Sequence, residues 1–343
     1  MADSPVRRSS VAKRLALSAI SVFFCLLVLG AGELYCRYFS DVNLRRVSHD
    51  FVVTNDAGRV VANVPNGRGT AFGVDVFSDG NGFRIPEGYV QPRASKGILL
   101  LGDSVTFGVG VPEPQTFAGK LRSTLSDTAV YNSGVIGYSM VDEEKVAQTF
   151  LPQHPEIRRV YLFYCLNDFQ PAEVDETLKP PQQTGAWASF KAAVRSTFAW
   201  TNDTLGGHSK LYVYITGMTA DPSRRYFEWD RTLMSVDDET VRRTVQPIVN
   251  IDHMARQKAA ALTVIFLPYE KQLRDGSNAD WTPQDRVESA LRAQGVECVD
   301  LRADFGHLSR STDAFLFADP MHLNSRGHDI VYDALMRMPM TQR

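Results

Sequence analysis

Four short stretches hold residue types that together can move an acyl group. In Gly97-Ile-Leu-Leu-Leu-Gly-Asp-Ser-Val-Thr-Phe-Gly108, an apolar run from Ile98 to Leu101 ends at Gly102-Asp103-Ser104. The run predicts a fully buried strand, and the glycines after it predict a turn into a helix near Gln115 to Leu125. A serine at the carboxyl end of a buried strand sits where open α/β sheets place their chemistry. Near the C-terminus, Asp319-Pro-Met-His322 puts a carboxylate three residues before a histidine, just ahead of an amphipathic helix over about Ser325 to Met338. Folded back, Asp319 fixes the imidazole tautomer, and His322 Nε2 is left to take a proton from Ser104. An attacked carbonyl also needs donors for its developing negative charge. Asn132-Ser-Gly134 ends one apolar run and Asn167-Asp168 follows another. Gly134 offers a backbone N–H with no side chain in the way, and Asn167 offers its amide.

The elements that must position these residues follow a strand-helix rhythm. Apolar runs end at Asn132, cover Arg159 to Leu166 and Leu262 to Leu267, and recur at Glu297 to Leu301, with a helical pattern near Val141 to Phe150. This alternation predicts a five-stranded parallel sheet covered by helices on both faces, a three-layer α/β/α flavodoxin-like fold. With strand order 2-1-3-4-5, the ends of the first three strands converge at the switch point. That order also places one strand between Cys165 and Cys298, which then read as buried free thiols.

About ninety residues separate Asp168 from Ala261, too many for one crossover connection. Pro180-Pro181 opens this insertion, taken as 169–260, with helical patterns near Ala186 to Trp200 and Glu239 to Lys258. Trp187, Trp200 and Trp229 are expected to pack an inserted subdomain rather than line a substrate groove. Asn202-Asp-Thr204 fits a glycosylation acceptor. In the stretch 36–96, Val74 to Arg84 alternates and turns, predicting a small hairpin, and Asp79-Gly-Asn-Gly82 reads as a turn because it lacks the spaced ligands of a calcium loop.

Arg7, Arg8, Lys13 and Arg14 precede an uncharged run from Leu15 to Gly32. Its length suits a membrane-spanning signal anchor over 15–35, with residues 1–14 cytoplasmic and the rest exported. Cleavage after Gly30-Ala31-Gly32 is the alternative. With 37 Lys and Arg against 39 Asp and Glu, a net charge of -2, no nucleic-acid partner is expected. The seven histidines and four cysteines show no metal-ligand spacing, so neither metal nor cofactor is expected.

Gly102-Asp-Ser104, Gly134, Asn167-Asp168 and Asp319-x-x-His322, in that order, resemble the blocks of the SGNH, or GDSL, hydrolase superfamily over roughly residues 97–340, within a domain taken as 97–343. The resemblance implies Ser104 as nucleophile, His322 as base and Asp319 as its orienting group. It implies an oxyanion hole made by the Ser104 backbone N–H, Gly134 and Asn167. Cys165 stands where the family usually has glycine. The anchor and the Gly82-Phe-Arg84 stretch resemble exported bacterial members. These imply an esterase acting on an acyl ester, with O-acetyl groups of a cell-surface polysaccharide as one substrate class. An acyltransferase with the same site and a non-catalytic carbohydrate-binding domain are the alternatives.

Overall fold

In a computed structural model, residues 6–92, 94–174 and 204–338 are described. Pro180-Pro181, Trp187, Trp200 and Asn202 lie outside the described residues. A single helix, Val6–Phe39, begins the chain, and its stretch Lys13–Phe39 is long and apolar enough to cross a membrane, with none of its apolar window covered by protein.

Between this helix and the main sheet lie two small antiparallel sheets. β1 (Val52–Thr54) pairs with β2 (Val60–Asn63), and β3 (Arg68–Ala71), β4 (Val74–Ser78) and β5 (Arg84–Ile85) form the second. The expected hairpin is therefore present, as part of a larger module. Asp79 Oδ1 accepts the Asn81 and Phe83 N–H groups at 2.8 and 2.9 Å, a side-chain turn that accounts for this acidic residue without an ion.

The main sheet contains β6 (Lys96–Leu101), β7 (Thr128–Asn132), β8 (Ile157–Tyr164), β9 (Ala261–Phe266) and β10 (Glu297–Asp300). All pairings are parallel and the order is β10-β9-β8-β6-β7. This is the expected 2-1-3-4-5 order. The chain steps from β6 to the edge at β7, then back past β6 to β8. Right-handed crossovers therefore put the first two connecting helices on opposite faces. Phe117–Thr124 packs with Ser325–Arg337, and Met140–Phe150 packs with Gln246–Gln257. The pattern near Glu239 to Lys258 is two helices, Asp238–Thr244 and Gln246–Gln257. Pro247 in the first turn of the second explains the restart, since proline suits that position and not a helix interior. Because Gln246–Gln257 packs against β9, it is the crossover helix of the sheet, and the added helices lie before it.

Cys165 and Cys298 are buried free thiols with β9 between their strands. Cys165 has φ -108°, open to any residue, so the glycine usual at this position is not needed for the backbone here. Trp229 is 55% exposed and does not pack an interior, contrary to expectation.

Arg84 ties the small module to the main domain. It is fully buried, and its guanidinium donates to the carbonyls of Phe107 (2.6 Å), Gly108 (2.5 Å) and Val111 (2.6 Å). Its guanidinium also lies over the Phe107 ring, 4.7 Å from the centroid. Burial pulls its pKa down to about 10, against the charge of Glu113, so it stays ionised at neutral pH. Arg84→Met leaves buried carbonyls without donors and should cost about 3–5 kcal/mol. Denaturant titration of the full chain in detergent checks this; a loss below about 1 kcal/mol would show that the module does not hold the loop.

Candidate active site

Ser104 begins the short helix Ser104–Phe107 directly after β6. β6 lies between β7 and β8, so this helix starts at the switch point of the sheet. Asp103 caps the helix, its Oδ1 accepting the Val105 N–H at 2.8 Å. Gly102 has φ +151°, and a Cβ there would lie 2.1 Å from Thr106 Oγ1, so only glycine makes this turn. A Cβ on Gly134 would lie 2.4 Å from the Phe107 backbone nitrogen; the loop after β7 approaches the Ser104 helix at a distance that admits only glycine.

His322 comes from the opposite end of the domain. Asp319 Oδ1 accepts the backbone N–H groups of Met321 (3.0 Å) and His322 (2.8 Å), closing the turn. Its Oδ2 lies 2.9 Å from His322 Nδ1. Asn324 then caps Ser325–Arg337 by accepting the Arg326 and Gly327 N–H groups, holding His322 just outside the helix. His322 Nε2 lies 2.8 Å from Ser104 Oγ. The structure thus joins Ser104, His322 and Asp319 in one chain of hydrogen bonds.

Burial pulls the His322 pKa down, but the charge and hydrogen bond of Asp319 outweigh it and leave the imidazole raised above an ordinary histidine. Burial likewise pushes Asp319 up, and the His322 charge and hydrogen bonds override this, leaving it lowered. With Nδ1 facing a carboxylate, the neutral ring carries its proton there and Nε2 is the free base.

The other two expected residues are close by but already engaged. Asn167 donates through Nδ2 to Asp103 Oδ2 at 2.9 Å. The Gly134 N–H donates to Asn132 Oδ1 at 3.1 Å. An amide nitrogen has two hydrogens, so Asn167 keeps a second donor. The single Gly134 N–H would have to be shared between two acceptors.

Sequence reasoning left out four residues that the structure puts here. Asp103 is fully buried and its Oδ2 lies 3.3 Å from Ser104 Oγ, a second acceptor for the one hydroxyl proton; its place between Gly102 and Ser104 was the available signal. Tyr269 OH accepts the Asn167 backbone N–H at 3.1 Å and donates to Asp230 Oδ2 at 2.7 Å, fixing the loop that carries Asn167. Phe72, from the small module, lies against His322. Beneath the site, Glu143 and Asp168 are buried carboxyls, both raised well above the ordinary range, by burial first and by the Asp103 charge next.

Asp230 supplies a pH test. Burial pushes its carboxyl up to about 6, against the hydrogen bond from Tyr269. A carboxyl raised on folding holds its proton more tightly in the folded state, so its contribution is present at acid pH and lost as pH rises through the folded value. Asn at this position keeps an acceptor for Tyr269 and removes the titration. Asp230→Asn should therefore gain on the wild type by up to about 3 kcal/mol between roughly pH 4 and 7. Parallel melts across that range check the sign; a difference independent of pH contradicts it.

Among the described residues, Asp285, Glu288 and Asp300 bring carboxylate oxygens within 4.8 Å of one another. Arg302 pairs with Asp285 and Asp300, and Arg292 with Glu288, so their charges are already met by arginines.

Neither a family model nor a curated protein matches the sequence. Solved structures do. The chain is similar to a member of the lipolytic protein G-D-S-L family from Veillonella parvula, at 15% identity and TM-score 0.42, over 71% of this chain and 98% of that one. It is similar to an acetylxylan esterase from Geobacillus stearothermophilus, at 13% identity and TM-score 0.42, over 74% and 99% of the two chains. A lipase/acylhydrolase from Enterococcus faecalis matches at 13% identity and TM-score 0.40, over 72% of this chain and 100% of its own. This chain resembles the SGNH hydrolases in block order. At such identities and TM-scores the functional reading rests on the site geometry, not on these neighbours.

Proposed function

We propose that this chain is a membrane-anchored serine esterase that cleaves an acyl ester outside the cytoplasm. The observation that carries the proposal is the unbroken path from Asp319 Oδ2 through the His322 ring to Ser104 Oγ, with bonds of 2.9 and 2.8 Å. His322 Nε2 takes the Ser104 proton as Oγ bonds to the acyl carbon. Negative charge passes to the carbonyl oxygen, which meets the Ser104 backbone N–H and the second Asn167 amide hydrogen, with Gly134 sharing its N–H. The imidazolium then gives its proton to the alcohol oxygen as the ester C–O bond breaks, leaving acyl-Ser104. Water attacks that intermediate with His322 again as base, releasing the acid and restoring Ser104. No step needs a metal or cofactor.

The location rests on the N-terminal helix. Leu15, Phe23 and Leu27 are 66%, 60% and 53% exposed, an apolar surface that lipid would cover. Basic residues precede the span, which orients its start toward the cytoplasm. The catalytic domain packs on the far end: Glu33 accepts the Lys210 and Leu211 N–H groups at 3.1 and 3.0 Å. A domain held at the extracytoplasmic face of the inner membrane meets envelope polymers first, and O-acetyl groups on a cell-surface polysaccharide are the substrate class we propose.

The test is acetate release from an acetylated polysaccharide by the full chain in nanodiscs, with and without added glycan acceptor. Free acetate as the sole product supports the esterase, acetyl appearing on the acceptor makes the chain a transferase, and neither product removes both. Reporter fusions after residue 40 should be active only as exported enzymes; a reporter active only in the cytoplasm would overturn the location.

A further inference from the structure

Phe72 stands where turn chemistry does not favour an aromatic residue. β3 and β4 are joined by Phe72 and Gly73 alone, with φ of +51° and +81°. Two positive φ values make the mirror-image hairpin turn, which asparagine–glycine adopts readily and a bulky side chain does not. The strained residue is clamped on both sides. Its N–H donates to the Arg46 carbonyl at 2.8 Å, and its carbonyl accepts from Asn43 Nδ2 at 2.9 Å. So held, the half-buried ring lies against the His322 imidazole, with centroids 5.4 Å apart and planes at 71°. A backbone outlier beside a reacting group points to what its side chain does there.

We infer that Phe72 forms a wall of the subsite for the alcohol part of the ester, and that this subsite takes a cyclic polyol with an apolar C–H face, such as a sugar ring. The inference rests on the esterase reading. In that mechanism the alcohol oxygen receives its proton from His322 Nε2, so the alcohol must lie beside the imidazole. The acyl carbon is bonded to Ser104, and the carbonyl oxygen turns toward the Asn167 amide at the end of β8. A ring packed on His322 therefore borders the alcohol and not the acyl chain. An incoming acceptor hydroxyl, by microscopic reversibility, would use the same place. The flat face of Phe72 suits the C–H face of a ring better than a short linear chain.

Phe72 also packs against the cluster of Phe51, Phe107, Val109 and Leu316, so the test must separate packing from selectivity. Phe72→Asn makes the turn asparagine–glycine, and the melting temperature of the full chain should hold or rise. Turnover of fully acetylated glucose should fall about tenfold or more in kcat/KM, mainly through KM, while ethyl acetate should fall by less than about threefold. The ratio of ethyl acetate to ethyl butyrate should not move, because the acyl side is untouched. Phe72→Tyr should restore the sugar ester. Should Phe72→Asn fail to fold, Phe72→Leu, which keeps apolar bulk without a flat ring, must show the same loss of sugar-ester preference. An equal fall for all esters, a shifted acyl ratio or an unchanged alcohol preference would overturn the inference. Ser104→Ala measured alongside keeps the two ideas apart: its loss of turnover with alcohol preference intact in the Phe72 variants sinks only the subsite, while retained turnover sinks the esterase.

Discussion

Ser104→Ala should end covalent labelling by a fluorophosphonate probe and lower ester turnover on the order of 10⁶-fold, to near background. In the proposed mechanism the covalent intermediate forms on Ser104 Oγ, and among the described residues no other hydroxyl is linked to His322 Nε2. The substitution is a mild one for the fold. Ser104 is 6% exposed, and removing its hydroxyl deletes the hydrogen bond to His322 and the longer contact with Asp103, without opening a large void. Asp103 keeps its bonds to Val105 and Asn167, and His322 keeps Asp319. Stability should therefore change by no more than about 1 kcal/mol, so that lost activity is lost chemistry. Labelling, turnover and a melt on the same preparation check all three. Wild-type turnover in a folded Ser104→Ala chain would discard the mechanism and bring the carbohydrate-binding alternative forward.

The parts of this architecture visible in the sequence are those written as local patterns. The strands β6 to β9 are largely apolar runs buried on both faces, and the turns after β6, β7 and β8 carry Gly, Asn, Asp or Ser. Because those turns lie at one edge of a parallel sheet, the sequence places Ser104, Gly134 and Asn167 near one another before any coordinate does. Asp319 and His322 were readable because the bond between them closes over three residues. What was not readable depends on distant partners. β1, β2 and β3 are three or four residues long and partly exposed, so their apolar residues are too few to mark a strand. Arg84 looks like a surface residue by type; only the carbonyls of Phe107, Gly108 and Val111 make it a buried one. Tyr269 and Asp230 meet across 39 positions, and Phe72 reaches His322 across a fold no short motif records.

Asp319→Asn should keep the fold and lower turnover on the order of 10⁴-fold. The aspartate serves three donors at once: Oδ1 accepts two backbone N–H groups and Oδ2 accepts the imidazole Nδ1–H. An asparagine that satisfies the backbone with its oxygen turns its NH₂ toward Nδ1. The neutral ring must then carry its proton on Nε2, facing Ser104, where it can no longer act as a base. The same change should show in pH dependence. His322 is raised by Asp319 against the pull of burial, so the wild-type acid limb of kcat/KM lies above an ordinary histidine. Without that charge, burial is opposed chiefly by the smaller effect of Asp103, and the limb of the residual activity should move to lower pH. The stability effect has a definite window. A raised histidine contributes fully below its unfolded pKa and is lost as pH rises through the folded one, while a lowered aspartate contributes above its unfolded pKa and is lost as pH falls through the folded one. Both hold together between roughly pH 4 and 6.5, so the variant should be most destabilised there and less so at alkaline pH. An acid limb that stays in place would mean that Asp319 does not set the imidazole, whatever the loss in rate.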